Sequence, residues 1–217
     1  MVRIRSGFHI DFIGNSRGLQ LSSLAFTQGF STIIFFLAYF TWIGSEFIGA
    51  FLIPHLRRRG KTQVKRDRGS AGLIILSVFV SITVAFNLGM AGVGLLPDWI
   101  FYFGIVFMFI GVLVRQYAIA VLGKFFSLSV RVADDHRVVN TAPYRYVRHP
   151  SYTGVMLTFI GLALVVQSWV ALLILLVVFA LAYGYGIRVE EQTLTSQLGQ
   201  AYVDYMRGSK RLLPYLV

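Results

Sequence analysis

Tyr144, Arg148, His149 and Tyr152 fall close together in the run PYRYVRHPSYTG at 143–154. A second polar cluster, Arg188-Val189-Glu190-Glu191, follows the last apolar run of the chain. Together these residue types can bind an anion, move a proton and hold a cation. Pro150 disfavours helix at His149 and suits the first position of a helix that starts there or at Ser151. His149 then sits at the mouth of that helix, beside backbone N–H groups with no partner inside it. A histidine so placed is either a structural cap or a ligand group, and the crowding by Tyr144, Arg148 and Tyr152 favours the ligand role. The carboxylates can be phased as well. Leu194, Leu198, Ala201, Tyr202 and Tyr205 follow helical spacing and make an apolar stripe. Glu190 lies four residues before Leu194, and Glu191 lies three before it, so both continue the inward face. Either they hold a buried cation or cationic ligand, or they fill a first helical turn where the macrodipole favours negative charge.

The elements that must position these groups are hydrophobic. Of 217 residues, 56% are apolar, and the mean hydropathy is +0.70. Several runs approach or exceed the ~20 apolar residues that cross a bilayer. The runs are continuous, not alternating, which argues for helices over a spanning β-barrel. An all-α integral membrane protein with about five spans is expected. The spans are placed at about 24–53, 71–95, 99–122, 151–166 and 169–187, followed by an amphipathic helix over about 188–207. Leu96-Pro97-Asp98 and Gln167-Ser168 read as tight turns. One membrane domain covers 1–217, with three spans in 1–122 and the connector, hairpin and C-terminal helix in 123–217. Residues 1–22 lack a compact signal-peptide pattern.

Charge orients the spans. The segments 56–70, 123–150 and 188 onward carry seven, five and four Lys or Arg, and the two tight turns carry none. Positive residues collect on the cytoplasmic side, so these three segments and the C-terminus are expected inside and the N-terminus outside. The net charge of +11 then marks loops facing an anionic leaflet and membrane lipids, and no nucleic-acid partner is expected. There is no cysteine, which excludes disulfides, thiolate metal sites and a cysteine nucleophile. His136 and His149 lack the spacing of a metal pair, and no metal is expected.

Glu46 and Arg115 lie inside spans at matching depth, about seven residues from their cytoplasmic ends. Charges there are costly and are paired or face a wet cavity. They read as an ion pair that either stabilises the bundle or lines a substrate cavity. The many glycines within spans, among them Gly89, Gly104, Gly111, Gly154 and Gly161, read as sites of close helix packing.

At these residues the chain resembles the isoprenylcysteine carboxyl methyltransferase family and its phospholipid-methyltransferase relatives. The resemblance runs over about 120–217, through Leu122-Gly123, His136 to Val139, the PYRYVRHPSYTG block, Glu190-Glu191 with Leu194, and Gly199 through Tyr202 and Tyr205 to Arg211 and Pro214. It implies a methyltransferase that uses S-adenosylmethionine without a soluble nucleotide-binding domain. By position it assigns Arg131, His136, Arg137, Val138 and Val139 to a connector that wraps the cofactor. Tyr144, His149 and Tyr152 would line the pocket, and Glu190 would hold the amino-acid end. Two positions depart from the family pattern. Ala142 stands where glycine is usual, and Gly186 stands where eukaryotic members carry a substrate-side arginine. Arg188, and then Arg148, are the candidates to orient a carboxylate acceptor. An amine or thiol acceptor would first lose a proton, for which Glu191 or His149 could serve. The acceptor implied is lipidic or prenylated. A membrane sterol-type reductase using NADPH, and a non-enzymatic transporter or scaffold, are the competing readings.

Overall fold

The computed structural model describes residues 29–49, 64–65, 69–126, 131–132 and 138–213. The helices are α1 (Gly29–Phe47), α2 (Ser70–Met90), α3 (Ile100–Leu122), α4 (Pro150–Val165), α5 (Trp169–Leu198) and α6 (Gln200–Gly208). Two short strands, β1 (Val64–Lys65) and β2 (Arg131–Val132), pair antiparallel with Val64 opposite Val132. This pairing ties the segment before α2 to the connector between α3 and α4. Two of the basic segments therefore meet at one end of the bundle.

α1, α2, α3 and α5 are long and apolar enough to cross a membrane. α4 has 16 residues, or roughly 24 Å at ~1.5 Å per residue. It is sheltered between α3 and α5 and runs the other way to α3, from the polar end to the opposite turn. Phe30 and Phe40 on α1, Phe79 on α2, Leu113 on α3 and Leu181 on α5 stay exposed. In water such surfaces would demand a partner; in a bilayer they face lipid. The protein is an integral membrane protein built from these helices.

In lipid, apolar burial does not drive helix association, so close packing and polar contacts must hold the bundle. The α3–α4 seam shows how. A Cβ on Gly111 would stand 2.6 Å from the Gly154 carbonyl oxygen, and one on Gly154 would stand 2.7 Å from that of Gly111. Gly104 and Gly161 repeat the contact, with separations of 2.8 and 2.7 Å. Seven-residue spacing on both helices keeps this seam in register. Trp42, Phe101, Met108, Phe159, Leu162 and Tyr183 fill the core beside it.

The turns at the opposite end clasp each other. Leu95 bridges Ser168, the Leu96 N–H donates to the Gln167 carbonyl at 2.8 Å, and Gln167 Nε2 donates to Asp98 Oδ1 at 2.9 Å.

Two boundaries differ from the sequence reading. The second span stops at Met90, because Gly92 and Gly94 take φ values of +66° and turn the chain. The break expected after 187 does not occur: α5 continues unbroken to Leu198. Arg188, Glu190 and Glu191 change the polarity of the helix without removing any backbone hydrogen bond. The chain turns only at Gly199, where φ is +57°. The end expected for the first span, near Pro54, lies outside the described residues.

Candidate active site

The site forms where the start of α4 meets the last third of α5 and the segment after α6. His149 is the residue before α4, with φ −122° and ψ 57°, and Pro150 opens the helix. Its side chain is buried between the two carboxylates of α5. Nδ1 lies 3.4 Å from Glu190 Oε2, and Nε2 lies 3.5 Å from Glu191 Oε1. Nε2 makes no hydrogen bond among the described residues. The Tyr152 ring stacks on the imidazole at 5.5 Å with 9° between planes, and its hydroxyl donates to Glu190 Oε2 at 3.1 Å. Glu190 Oε1 accepts no hydrogen bond among the described residues.

Glu191 is committed elsewhere. Arg148 Nε donates to its Oε1 at 2.9 Å, and Arg211 Nη2 lies 3.0 Å from its Oε2. Arg148 Nη1 also donates to the Met206 and Ser209 carbonyls. The segment after α6 runs alongside the end of the PYRYVRHP turn, with Val147 bridged to Lys210. The Arg148 N–H donates to the Lys210 carbonyl at 2.7 Å, and the His149 N–H to the Arg211 carbonyl at 3.0 Å. This return of the chain brings the third basic segment to the same end as the other two. Tyr205 donates to the Tyr144 carbonyl at 2.6 Å, and Tyr144 donates to the Ala118 carbonyl at 3.2 Å.

Electrostatics follow from this packing. Burial alone would lower the His149 pKa, but Glu190 and Glu191 reverse the effect and hold it above its ordinary value. Burial raises the Tyr144 and Tyr202 phenols, with Glu190 adding to both. Burial likewise pushes Tyr205 up to about 12, against the opposing effects of Ser209 and Arg148. These phenols stay neutral at physiological pH, and Tyr144 and Tyr205 act as hydrogen-bond donors.

Among the expected site residues, Tyr144, Arg148, His149, Tyr152, Glu190 and Glu191 are brought together. Two of them are already engaged by neighbouring groups. Arg148 is bound to a carboxylate and two carbonyls. Glu191 is held by Arg148 and Arg211. Arg188 is exposed one turn before Glu191 and makes no hydrogen bond or ion pair among the described residues. Val138 and Val139 are half-buried in the connector, Arg131 supplies backbone to β2, and His136 and Arg137 lie outside the described residues. Arg211 was not among the expected site residues. It carries part of the resemblance, but its contact with Glu191 follows only from the fold-back of the chain after α6.

Fold and site define the class: a helical integral membrane protein with a buried polar cluster at one end of its bundle. Residues 104–196, which carry most of α3, all of α4 and nearly all of α5, match the model of the isoprenylcysteine carboxyl methyltransferase (ICMT) family. That segment, somewhat under half of the chain, is similar to this family. Among its relatives is protein-S-isoprenylcysteine O-methyltransferase B of Arabidopsis thaliana, 26% identical over 193 residues, which cover 88% of this chain and 93% of the relative. Another is protein-S-isoprenylcysteine O-methyltransferase of Saccharomyces cerevisiae, 32% identical over 115 residues, which cover 52% of this chain and 48% of the relative. The chain thus spans nearly all of one plant relative and about half of the yeast one. The solved structure of the eukaryotic intramembrane Ras methyltransferase ICMT is similar in fold. Its TM-score is 0.56 at 23% identity, and the match covers 66% of this chain and 52% of that one.

Proposed function

We propose that this chain is a membrane methyltransferase that uses S-adenosylmethionine and acts on a lipidic or prenylated acceptor at the cytoplasmic face. The observation that carries this reading is the stacked His149–Tyr152 pair against Glu190, in the segment that matches the family. S-adenosylmethionine would supply an already activated methyl group on a sulfonium. The donor set fits such a group. Glu190 keeps one carboxylate oxygen without a hydrogen bond among the described residues, and an ammonium needs such an acceptor. The aromatic faces of Tyr152 and its neighbours suit a cation. His149 Nε2, buried and without a hydrogen bond among the described residues, can donate one to a bound group.

In this proposal Glu190, Tyr144, His149 and Tyr152 bind the cofactor, with the connector carrying Arg131, His136, Arg137, Val138 and Val139 closing over it. Arg148 and Arg211 neutralise Glu191 and keep the fold-back segment in place, so that Glu190 alone offers its charge. Arg188, uncommitted and exposed, is the cation that would orient a carboxylate acceptor. With an amine or thiol acceptor, His149, once a bound cation has displaced its own proton, is better placed than Glu191 to hold the departing one. Alignment of nucleophile and donor is the main task left to the protein. The meeting of the basic segments at one end supports a cytoplasmic site and C-terminus, with the N-terminus outside. The named relatives favour methyl transfer over reductase chemistry or a transporter role. Calorimetric titration of the purified protein with S-adenosylmethionine tests the reading. Binding that is lost in Glu190→Ala is expected; unchanged binding in that variant sinks the assignment of Glu190.

A further inference from the structure

We propose that Glu46, Arg115 and Ser151 form a positioning device that sets the orientation of His149 and Tyr152 from inside the bundle. The inference rests on the cofactor site described above. Arg115 on α3 is buried, and its guanidinium reaches two elements at once. Nη2 donates to Glu46 Oε2 at 2.7 Å, and Nε lies 2.5 Å from Glu46 Oε1, both on α1. Nη1 donates to Ser151 Oγ at 2.7 Å, in the first turn of α4. The root of Arg115 is pinned as well, because a Cβ on Gly154 would stand 2.7 Å from the Arg115 Cβ. The arginine is therefore fixed to the first two turns of α4 at both of its ends.

Ser151 lies between Pro150 and Tyr152, one residue from the ring that stacks on His149 and donates to Glu190. A rotation of this turn swings both rings away from the α5 carboxylates. A pair that served only to neutralise a buried charge could sit anywhere along the α1–α3 contact. Well-packed apolar residues would serve stability there equally well, since a buried ion pair adds little net stability. Its bond to Ser151 gives the pair a second task. It also makes α1, which lies outside the family-matching segment, a contributor to the geometry of the site.

Three substitutions test this in the full-length protein: Ser151→Ala, which cuts only the link to α4; Ser151→Thr, which keeps the hydroxyl; and Glu46→Gln. Two readouts are needed. The first is free of cofactor: the imidazole resonances of His149, assigned with His149→Gln. They shift in Ser151→Ala and Glu46→Gln and return in Ser151→Thr. The second is the Kd for S-adenosylmethionine, which weakens about tenfold in Ser151→Ala with little change in Tm. Adding Ser151→Ala to Glu46→Gln weakens binding little further, because both act through one path. Unchanged His149 resonances in Ser151→Ala overturn the inference, as does a fall in Tm with Kd intact. Should Glu46→Gln fail to fold, the Ser151 pair decides alone. Failure of the wild-type protein to bind S-adenosylmethionine overturns the cofactor proposal instead, and the resonances still decide this one.

Discussion

Glu190 and Glu191 are sequence neighbours in opposite surroundings. Glu191 is saturated by Arg148 and Arg211, while Glu190 faces two aromatic rings and keeps an oxygen without a hydrogen bond among the described residues. Phasing of the apolar stripe pointed both inward, but it could not divide their roles, because the division depends on Arg211 returning after α6. Charge on Glu190 also holds the proton of His149. The imidazolium contributes to stability in full below the ordinary pKa of about 6.5. That contribution is lost as pH rises through the raised folded value. A cation seated on Glu190 removes part of the charge that holds this proton. Binding of S-adenosylmethionine should therefore release a proton in that window, and Kd should tighten as pH rises through it. Calorimetry in buffers of different ionisation enthalpy reads the proton directly, and His149→Gln should flatten the pH dependence. At the same site, Tyr152→Phe removes one hydrogen bond to Glu190 and should weaken binding by about fivefold, read by the same titration.

The helices were largely legible in the sequence, because long apolar runs separated by Pro97 and the Gln167-Ser168 turn leave few alternatives. The boundary between the last span and the amphipathic helix was not. Arg188 and Glu190 mark where the surroundings become polar, yet a helix ends where its backbone turns, at Gly199. The Glu46–Arg115 pair was readable from matching depth, whereas its third member, Ser151, needed the α3–α4 seam to be seen. That seam makes its own prediction. Gly154→Ala places a methyl group against the backbone of Gly111 and Arg115, where nothing flexible can give way. It should cost about 1–3 kcal/mol, read as a lower Tm in detergent. Arg148→Ala should act on a different element. It frees the carbonyls of Met206 and Ser209, so α6 and the segment after it should become more open to proteolysis while the other helices keep their protection.

At the scale of the whole molecule, one end of the bundle is polar and basic and the other is a tight clasp of two turns without Lys or Arg. The β1–β2 pair and the Val147–Lys210 bridge join the basic segments at the polar end. A water-soluble donor and a lipidic acceptor can meet only where the bundle borders both phases, and the His149–Glu190 cluster lies at that end. Labelling of residues in the turns at 96–98 and 167–168 from outside intact cells, with the segment after 199 protected, is the expected topology. The most direct measurement of the central claim is transfer of radiolabelled methyl from S-adenosylmethionine in membranes that contain either the wild-type protein or Glu190→Ala. The account predicts label in the lipid or prenylated-protein fraction with wild type, and its loss with Glu190→Ala. Equal labelling by the two proteins, or none by a wild-type protein that also fails to bind S-adenosylmethionine, would contradict it.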